Sequence, residues 1–160
     1  EMAERAGLDV GVVSTGGSYN YELVAVMDGV TEVPAGTYAL MDESYRAYRS
    51  QFSPAARVIS SVTSLPEDGL AIVDGGHKAI GSDTGVPSVD VPGAVVKGLS
   101  AEHGSLILDS ASDGNPSLGD RVWFTPYDVG ECVNLHDYMH VVRNGRLEAI
   151  WDIPARGHYR

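Results

Sequence analysis

Arg57-Val-Ile-Ser-Ser-Val-Thr-Ser64 alternates residue by residue. Val58, Ser60 and Val62 fall on one face of an extended chain, and Ile59, Ser61 and Thr63 on the other. The period is that of a strand, and β-branched residues fill it. Outward from here the signal repeats at spacings of about ten residues. Leu70 to Asp74 is a short strand. Ala94 to Leu99 and Ser105 to Leu108 make a hairpin around Ala101-Glu-His-Gly104. Arg121 to Thr125 follows a Gly119-Asp120 turn. Met139 to Arg143 and Arg146 to Ile150 enclose Asn144-Gly145, the pair best suited to a two-residue hairpin turn. Thr31 to Val33 and Thr37 to Met41 flank a Pro-Ala-Gly turn and also read as strands, and Cys132 to Tyr138 reads as a helical turn. Some eight short strands predict a mainly β domain, a barrel or a sandwich, after about Thr31.

The first thirty residues have another character. Glu1 to Gly7 reads as the end of a helix with Gly7 capping it. Val10-Gly-Val-Val13 has the pattern of a fully buried strand. It empties into Ser14-Thr-Gly-Gly-Ser18, and Tyr21 to Met27 reads as a short helix. Helix, strand, Gly-rich turn and helix in that order is α/β architecture. The expected division is 1–30 and 31–160, with the boundary at Asp28 to Thr31.

Composition narrows the partners. The chain has 160 residues, with 11 Lys+Arg against 22 Asp+Glu, for a net charge of −11. Such a charge repels nucleic-acid backbones and anionic membrane surfaces. No apolar run approaches the roughly 18 residues needed to span a bilayer. The charged stretch Glu1 to Gly7 lacks the apolar core of a signal peptide. The single cysteine, Cys132, excludes an intrachain disulfide and fits a reducing cytoplasm.

Several residues carry possible chemistry. Ser14 to Ser18 follows a buried strand and precedes a helix, where backbone N–H groups cradle phosphates; Gly-Gly turns are also simply turns. Cys132, His136 and His140 would share a face of one helix and so resemble a metal cluster, but His140 opens an apparent strand, which breaks that geometry. His103 with Glu102 sits in a hairpin turn, and His77 with Lys78 follows a strand; both read equally as structural turns. Asp128 and Glu131 flank the Pro126 turn and read as solvated charges. No base stands beside Cys132 to make it a nucleophile.

Taken in order, the strings say more. Ser14-Thr-Gly-Gly-Ser18 is followed by Gly29-Val-Thr-Glu-Val-Pro-Ala-Gly-Thr-Tyr-Ala-Leu-Met-Asp42 and Ala56-Arg-Val-Ile-Ser-Ser-Val62. Then come Val73-Asp-Gly-Gly-His-Lys-Ala-Ile80 with Ser82-Asp83, Leu99-Ser-Ala-Glu-His-Gly104 and Gly119-Asp-Arg-Val122. Pro126 with Val133-Asn-Leu135 and Trp151-Asp-Ile-Pro-Ala-Arg-Gly157 complete the series. The order closely resembles the C-terminal part of the D-threonine aldolase and eukaryotic-type D-serine dehydratase family, from about Val10 to Gly157. These are fold type III pyridoxal-phosphate enzymes, similar to alanine racemase, with a (β/α)8 barrel followed by a β-rich domain. The resemblance implies that Glu1 to Ser18 ends that barrel, and that Ser14, Thr15, Gly16, Gly17 and Ser18 lie where the family binds the cofactor phosphate. It also implies a lyase on 3-hydroxy-D-amino acids, cleaving by retro-aldol reaction or by elimination, and a homodimer. In such a fragment Val10, Val12 and Val13 should be exposed, since they normally sit between neighbouring barrel strands.

Two departures follow from the same resemblance. The family's Schiff-base lysine lies on the first barrel strand; this chain holds only Lys78, which matches a second-domain lysine, and Lys97. The 160 residues alone are therefore expected to be inactive. The family's metal motif, Pro-x-His-x-(Cys or Asp), corresponds to Pro126-Tyr-Asp128-Val-Gly130. Asp128 replaces the histidine and Gly130 the second ligand, so at most a weak divalent cation is expected at Asp128, and no tight zinc at Pro126 to Leu135. A non-catalytic β domain or a metal-free racemase are the alternatives these departures favour.

Overall fold

The structure, a computed structural model, describes residues 2–158. Six strands form one antiparallel sheet: β1 (Val58–Glu67), β2 (Leu70–Val73), β3 (Ser88–Val89), β4 (Val95–Leu99), β5 (Gly104–Ile107) and β6 (Arg121–Thr125). Their order is β3-β6-β1-β2-β5-β4, and the end strands β3 and β4 touch, so the sheet curls into a nearly closed barrel. Closure protects the edges that an open sheet leaves for unwanted pairing.

The alternation of β1 sets the register. Ser60 lies opposite Val122 and Val62 opposite Val73. Ser60 and Val62 are buried inside, whereas Ile59 and Thr63 face out. Ala71, Val73, Leu106 and Phe124 are 0% exposed and form the centre of the core. Each large apolar side chain buried this fully contributes roughly 1.5–3 kcal/mol. The short helix α4 (His77–Ile80) follows β2, and its Ile80 seals the same core. Its first turn hangs from the β4–β5 turn: His77 N–H donates to Ser100 O at 2.8 Å and Lys78 N–H to Ala101 O at 3.1 Å.

Beyond the barrel, β7 (Tyr138–Arg143) and β8 (Arg146–Asp152) form a separate two-stranded sheet. Asn144 (φ 51°) and Gly145 (φ 73°) both take left-handed backbone there, as the Asn-Gly signal predicts. The remaining helices are one or two turns long: α1 (Met2–Arg5), α2 (Tyr21–Val24), α3 (Glu43–Arg46), α4 (His77–Ile80) and α5 (Val129–Asn134). Glu1, expected in the first helix, lies outside the described residues; Gly7 ends that helix at φ 76°.

Four sequence expectations fail in detail. Thr31 to Val33 is no strand and carries only the isolated bridge at Glu32. Val10 to Val13 forms no strand ladder. It is tethered only at its end, where Val13 O accepts from Thr31 N–H (3.0 Å) and Glu32 N–H (3.2 Å) and Ser14 bridges Glu32 in parallel. Val10, Val12 and Val13 are exposed. Thr37 to Met41 is a 3-10 turn (Thr37–Ala39) rather than a strand. No strand lies alongside to pair with it among the described residues, and Met41 turns inward at φ 54° to become fully buried. The helix after β6 starts at Val129 instead of Cys132, because Asp128 caps it.

Candidate functional site

The Ser14 to Ser18 loop is built around glycine. Gly16 adopts φ 82°, and a Cβ there would lie 2.4 Å from Val24 Cγ2. Only glycine lets the loop lie this close to α2. Gly17 is different: a Cβ there would meet nothing nearer than Tyr19 at 3.9 Å. Some of the loop's donors are already engaged. Thr15 N–H donates to Glu32 O (3.1 Å), Gly17 N–H to Asn20 Oδ1 (2.9 Å), and the Ser14 hydroxyl to Glu32 Oε1 (2.7 Å). Among the described residues, no group of the chain accepts from the N–H groups of Gly16 and Ser18 or from the Thr15 hydroxyl. The Ser18 hydroxyl accepts from Tyr38 N–H at 3.0 Å and keeps its own proton to donate. Two N–H groups and two hydroxyls on residues 15–18 fit a phosphate; Ser14, bound to a carboxylate, adds nothing to that set.

A cleft of about 390 Å³ is lined by Thr37, Asp42, Tyr45, Asp128, Val129 and Gly130 among others. The loop is tied to the residues around it indirectly: Ser18 accepts from the N–H of Tyr38, the neighbour of Thr37, and the rings of Tyr19 and Tyr45 lie 6.2 Å apart. Asp42 holds the far wall together. Its Oδ1 caps α3, accepting from Tyr45 N–H (3.1 Å) and the Ser44 hydroxyl (2.7 Å), while Oδ2 accepts from Val129 N–H at 3.1 Å. Asp128 caps α5 in the same way, Oδ1 accepting from Gly130 N–H (2.8 Å) and Glu131 N–H (3.0 Å). One Asp128 oxygen is thus spent on the helix, and Gly130 has no side chain to offer. The two positions matching the metal motif fit a tightly held ion poorly.

The other sequence candidates separate. The Cys132 thiol is buried and sits 3.7 Å from Ala79 O; burial, then the charges of Glu131 and Asp128, pushes its pKa up to about 12. A thiol so reluctant to ionise makes a poor nucleophile. His136 Nε2 contacts the same carbonyl at 2.8 Å, and His140 is exposed on β7, edge-on to Tyr138. The three therefore form no metal cluster. Lys78 is paired with Glu102 at 2.5 Å, and that bond holds the Glu102 carboxyl below its usual range. His103 lies in the β4–β5 turn.

Residues 55–142 match the family model described as a putative serine dehydratase domain. The chain belongs to this family. A D-threonine aldolase of Arthrobacter sp is 32% identical over 165 residues, covering all of this chain and 43% of that protein. The crystal structure of D-threonine aldolase from Filomicrobium marinum superposes with a TM-score of 0.88 at 32% identity, over 98% of this chain and 44% of the other. An alanine racemase-like protein of Idiomarina loihiensis shares the fold, with a TM-score of 0.81 at 21% identity, over 94% of this chain and 46% of its own. The chain thus spans a little over two-fifths of these relatives and corresponds to their C-terminal part.

Sequence reasoning missed the cleft wall. Asp42 and Tyr45 lie just past Thr37 to Met41, a run read as a strand. A usable signal was present: Asp immediately before Glu43-Ser44 is a helix N-cap pattern. Thr37 carried no such signal, since its position depends on the 3-10 turn.

Proposed function

We propose that this chain is the C-terminal part of a pyridoxal-phosphate-dependent lyase acting on 3-hydroxy-D-amino acids. In that reading residues 1–30 end the cofactor barrel, and 31–160 form the β domain that closes the site. What supports it is the 32% identity to a D-threonine aldolase along the whole chain, together with a loop that keeps free donors for a phosphate. The cofactor, when bound, supplies the electron sink for breaking a bond at the amino acid's α-carbon. The Gly16 and Ser18 N–H groups and the Thr15 and Ser18 hydroxyls hold its phosphate. Each charge-assisted bond of this kind contributes roughly 1.5–3 kcal/mol. The long-range opposition of the −11 charge is screened over about 8 Å at physiological salt, so the local donors prevail.

The cleft between Thr37, Tyr45 and Asp128 then receives the substrate side chain. Retro-aldol cleavage to glycine and an aldehyde is preferred over elimination, in line with the aldolase relatives. The weak fit at Asp128 and Gly130 favours, as second reading, a metal-free racemase on the same scaffold. The assembly is a homodimer in a reducing cytoplasm; among the described residues no helix is long and apolar enough to cross a membrane.

Gly17→Val tests the loop. Because a Cβ at Gly17 meets no close neighbour, the variant folds, and any loss reflects the space in front of the loop. Pyridoxal-phosphate affinity of the whole protein, read by absorbance titration, falls about tenfold or more, equivalent to about 1.4 kcal/mol. Unchanged affinity removes the loop from the site. Incubation of the whole protein with D-threonine yields glycine and acetaldehyde. D-serine giving pyruvate instead selects elimination, and a racemised amino acid selects the second reading.

A further inference from the structure

We propose that His77, Asp83 and Glu131 bind a divalent cation of the zinc class, beside the two positions at which the family motif would place its ligands. One ligand atom from each residue lies within 4.8 Å of the others, a spacing that small side-chain rotations close onto one ion with bonds of about 2 Å. The three come from α4, the loop after it and α5, so the site forms only when the helices pack.

Two of the ligands are held in place beforehand. Glu131 Oε1 accepts from Ser82 N–H (2.8 Å) and Asp83 N–H (3.0 Å), and Oε2 from the Thr84 hydroxyl (3.2 Å). Gly81 makes room for it: the residue sits at φ 77°, and a Cβ would lie 2.6 Å from Oε1. His77 Nδ1 is 3.1 Å from Ser82 Oγ. With the ring proton on Nδ1 donated to that hydroxyl, Nε2 keeps its lone pair and faces Asp83 Oδ1 at 3.8 Å. A hydrogen bond at one imidazole nitrogen that orients the other is how proteins prepare a histidine ligand. Asp83 is largely exposed, which leaves the remaining coordination positions open to water.

The charge balance agrees. Two carboxylates and a neutral imidazole give the site −2, within a chain of net charge −11. The imidazole selects zinc-class ions over calcium or magnesium, which prefer oxygen alone. The sequence-based expectation of no tight zinc at Pro126 to Leu135 rested on Asp128 and Gly130; the site proposed here takes only Glu131 from that stretch. It stands independently of the reaction assigned above.

The protein is stripped with a chelator, dialysed and titrated with Zn²⁺ against a chromophoric zinc indicator, with circular dichroism as the check of folding. One equivalent binds, and His77→Ala or Asp83→Asn weakens binding by about tenfold or more. Asp128→Asn, which keeps a cap oxygen for the Gly130 and Glu131 N–H groups, leaves it unchanged. Both informative residues are partly or largely exposed, so these variants fold even where Glu131→Gln does not. Absence of stoichiometric zinc overturns the proposal and leaves His77 and Asp83 as an ordinary ion pair. Zinc that survives His77→Ala but is lost on Asp128→Asn overturns it too, in favour of the family position.

Discussion

Leu70-Ala-Ile-Val73 and Val10-Gly-Val-Val13 are both four-residue apolar runs that end before a polar, Gly-containing turn. The first lies between β1 and β5, paired on both edges, with Ala71 and Val73 wholly buried. The second has no bridge of its own, the nearest being Ser14 to Glu32 just past its end, and Val10, Val12 and Val13 are 39%, 65% and 39% exposed. Apolar, β-branched composition is common to both. What differs is neighbours: strand preference measures fit to a half-buried pleated surface, and a run without such a surface stays unladdered. The barrel in residues 58–125 supplies its own surface; residues 10–13 do not find one within this chain.

The sharpest break of that contrast is a matched pair of core and run substitutions. Phe124 is fully buried at the barrel centre, so Phe124→Ala should cost about 3–5 kcal/mol through lost burial and the cavity left behind. Val12→Thr, on the exposed run, should stay within about 0.5 kcal/mol. Urea midpoints of the two variants measure the difference. A Val12→Thr cost above about 1 kcal/mol would mean that a second copy covers the run, since self-association buries what one chain leaves open.

The same contrast explains what was legible beforehand. Alternation at Val58 to Ser64, the Asn144-Gly145 turn and the β4–β5 hairpin are local signals, and the structure follows them. Thr37 to Met41 reads as strand by composition but has no ladder to join, and its end is set by Asp42, whose partner Val129 lies 87 positions away. The loop Ser14 to Ser18 was visible as a glycine pattern. Its engagement with Glu32 and Tyr38 was not, because those contacts are fixed by tertiary packing. His77, Asp83 and Glu131 are separated by as much as 54 positions (131 − 77), and no spacing rule joins them.

Outside the barrel, single polar contacts do the joining that ladders do inside it, and Asp42 sharpens that distinction. Its carboxylate is 2% exposed and accepts three hydrogen bonds, from both sides of the cleft. Asp42→Asn keeps the size but presents a donor to one of those N–H or O–H groups. The cost should be about 1–3 kcal/mol, the penalty of an unsatisfied buried polar group. Hydrogen exchange at the Val129 amide should accelerate, while amides in β2 and β5 keep their protection. Equal loss of protection in both places would show that the cleft wall and the barrel unfold as one unit.

The smallest expected effect lies at the end of β2 itself, where a ladder gives way to a side chain. Asp74 Oδ1 accepts from Ser61 N–H at 2.8 Å and from the Ser60 hydroxyl at 2.7 Å, tying the end of β2 to β1. These bonds favour the charged form, the Ser61 N–H most, and hold the Asp74 carboxyl below its ordinary 3.8. A carboxylate whose folded pKa is depressed stabilises the fold above the unfolded value and loses that contribution as pH falls through the folded one. The stabilisation from Asp74 is therefore fully present at neutral pH and fades below about pH 4. Asp74 is solvent-exposed, so the effect is modest. Asp74→Asn should lower the urea midpoint at about pH 7, and the gap to the unmodified protein should shrink as pH falls below about 4. A gap that stays constant across that range would assign the loss to altered hydrogen-bond geometry in place of charge, and would remove Asp74 from the acid sensitivity of the barrel.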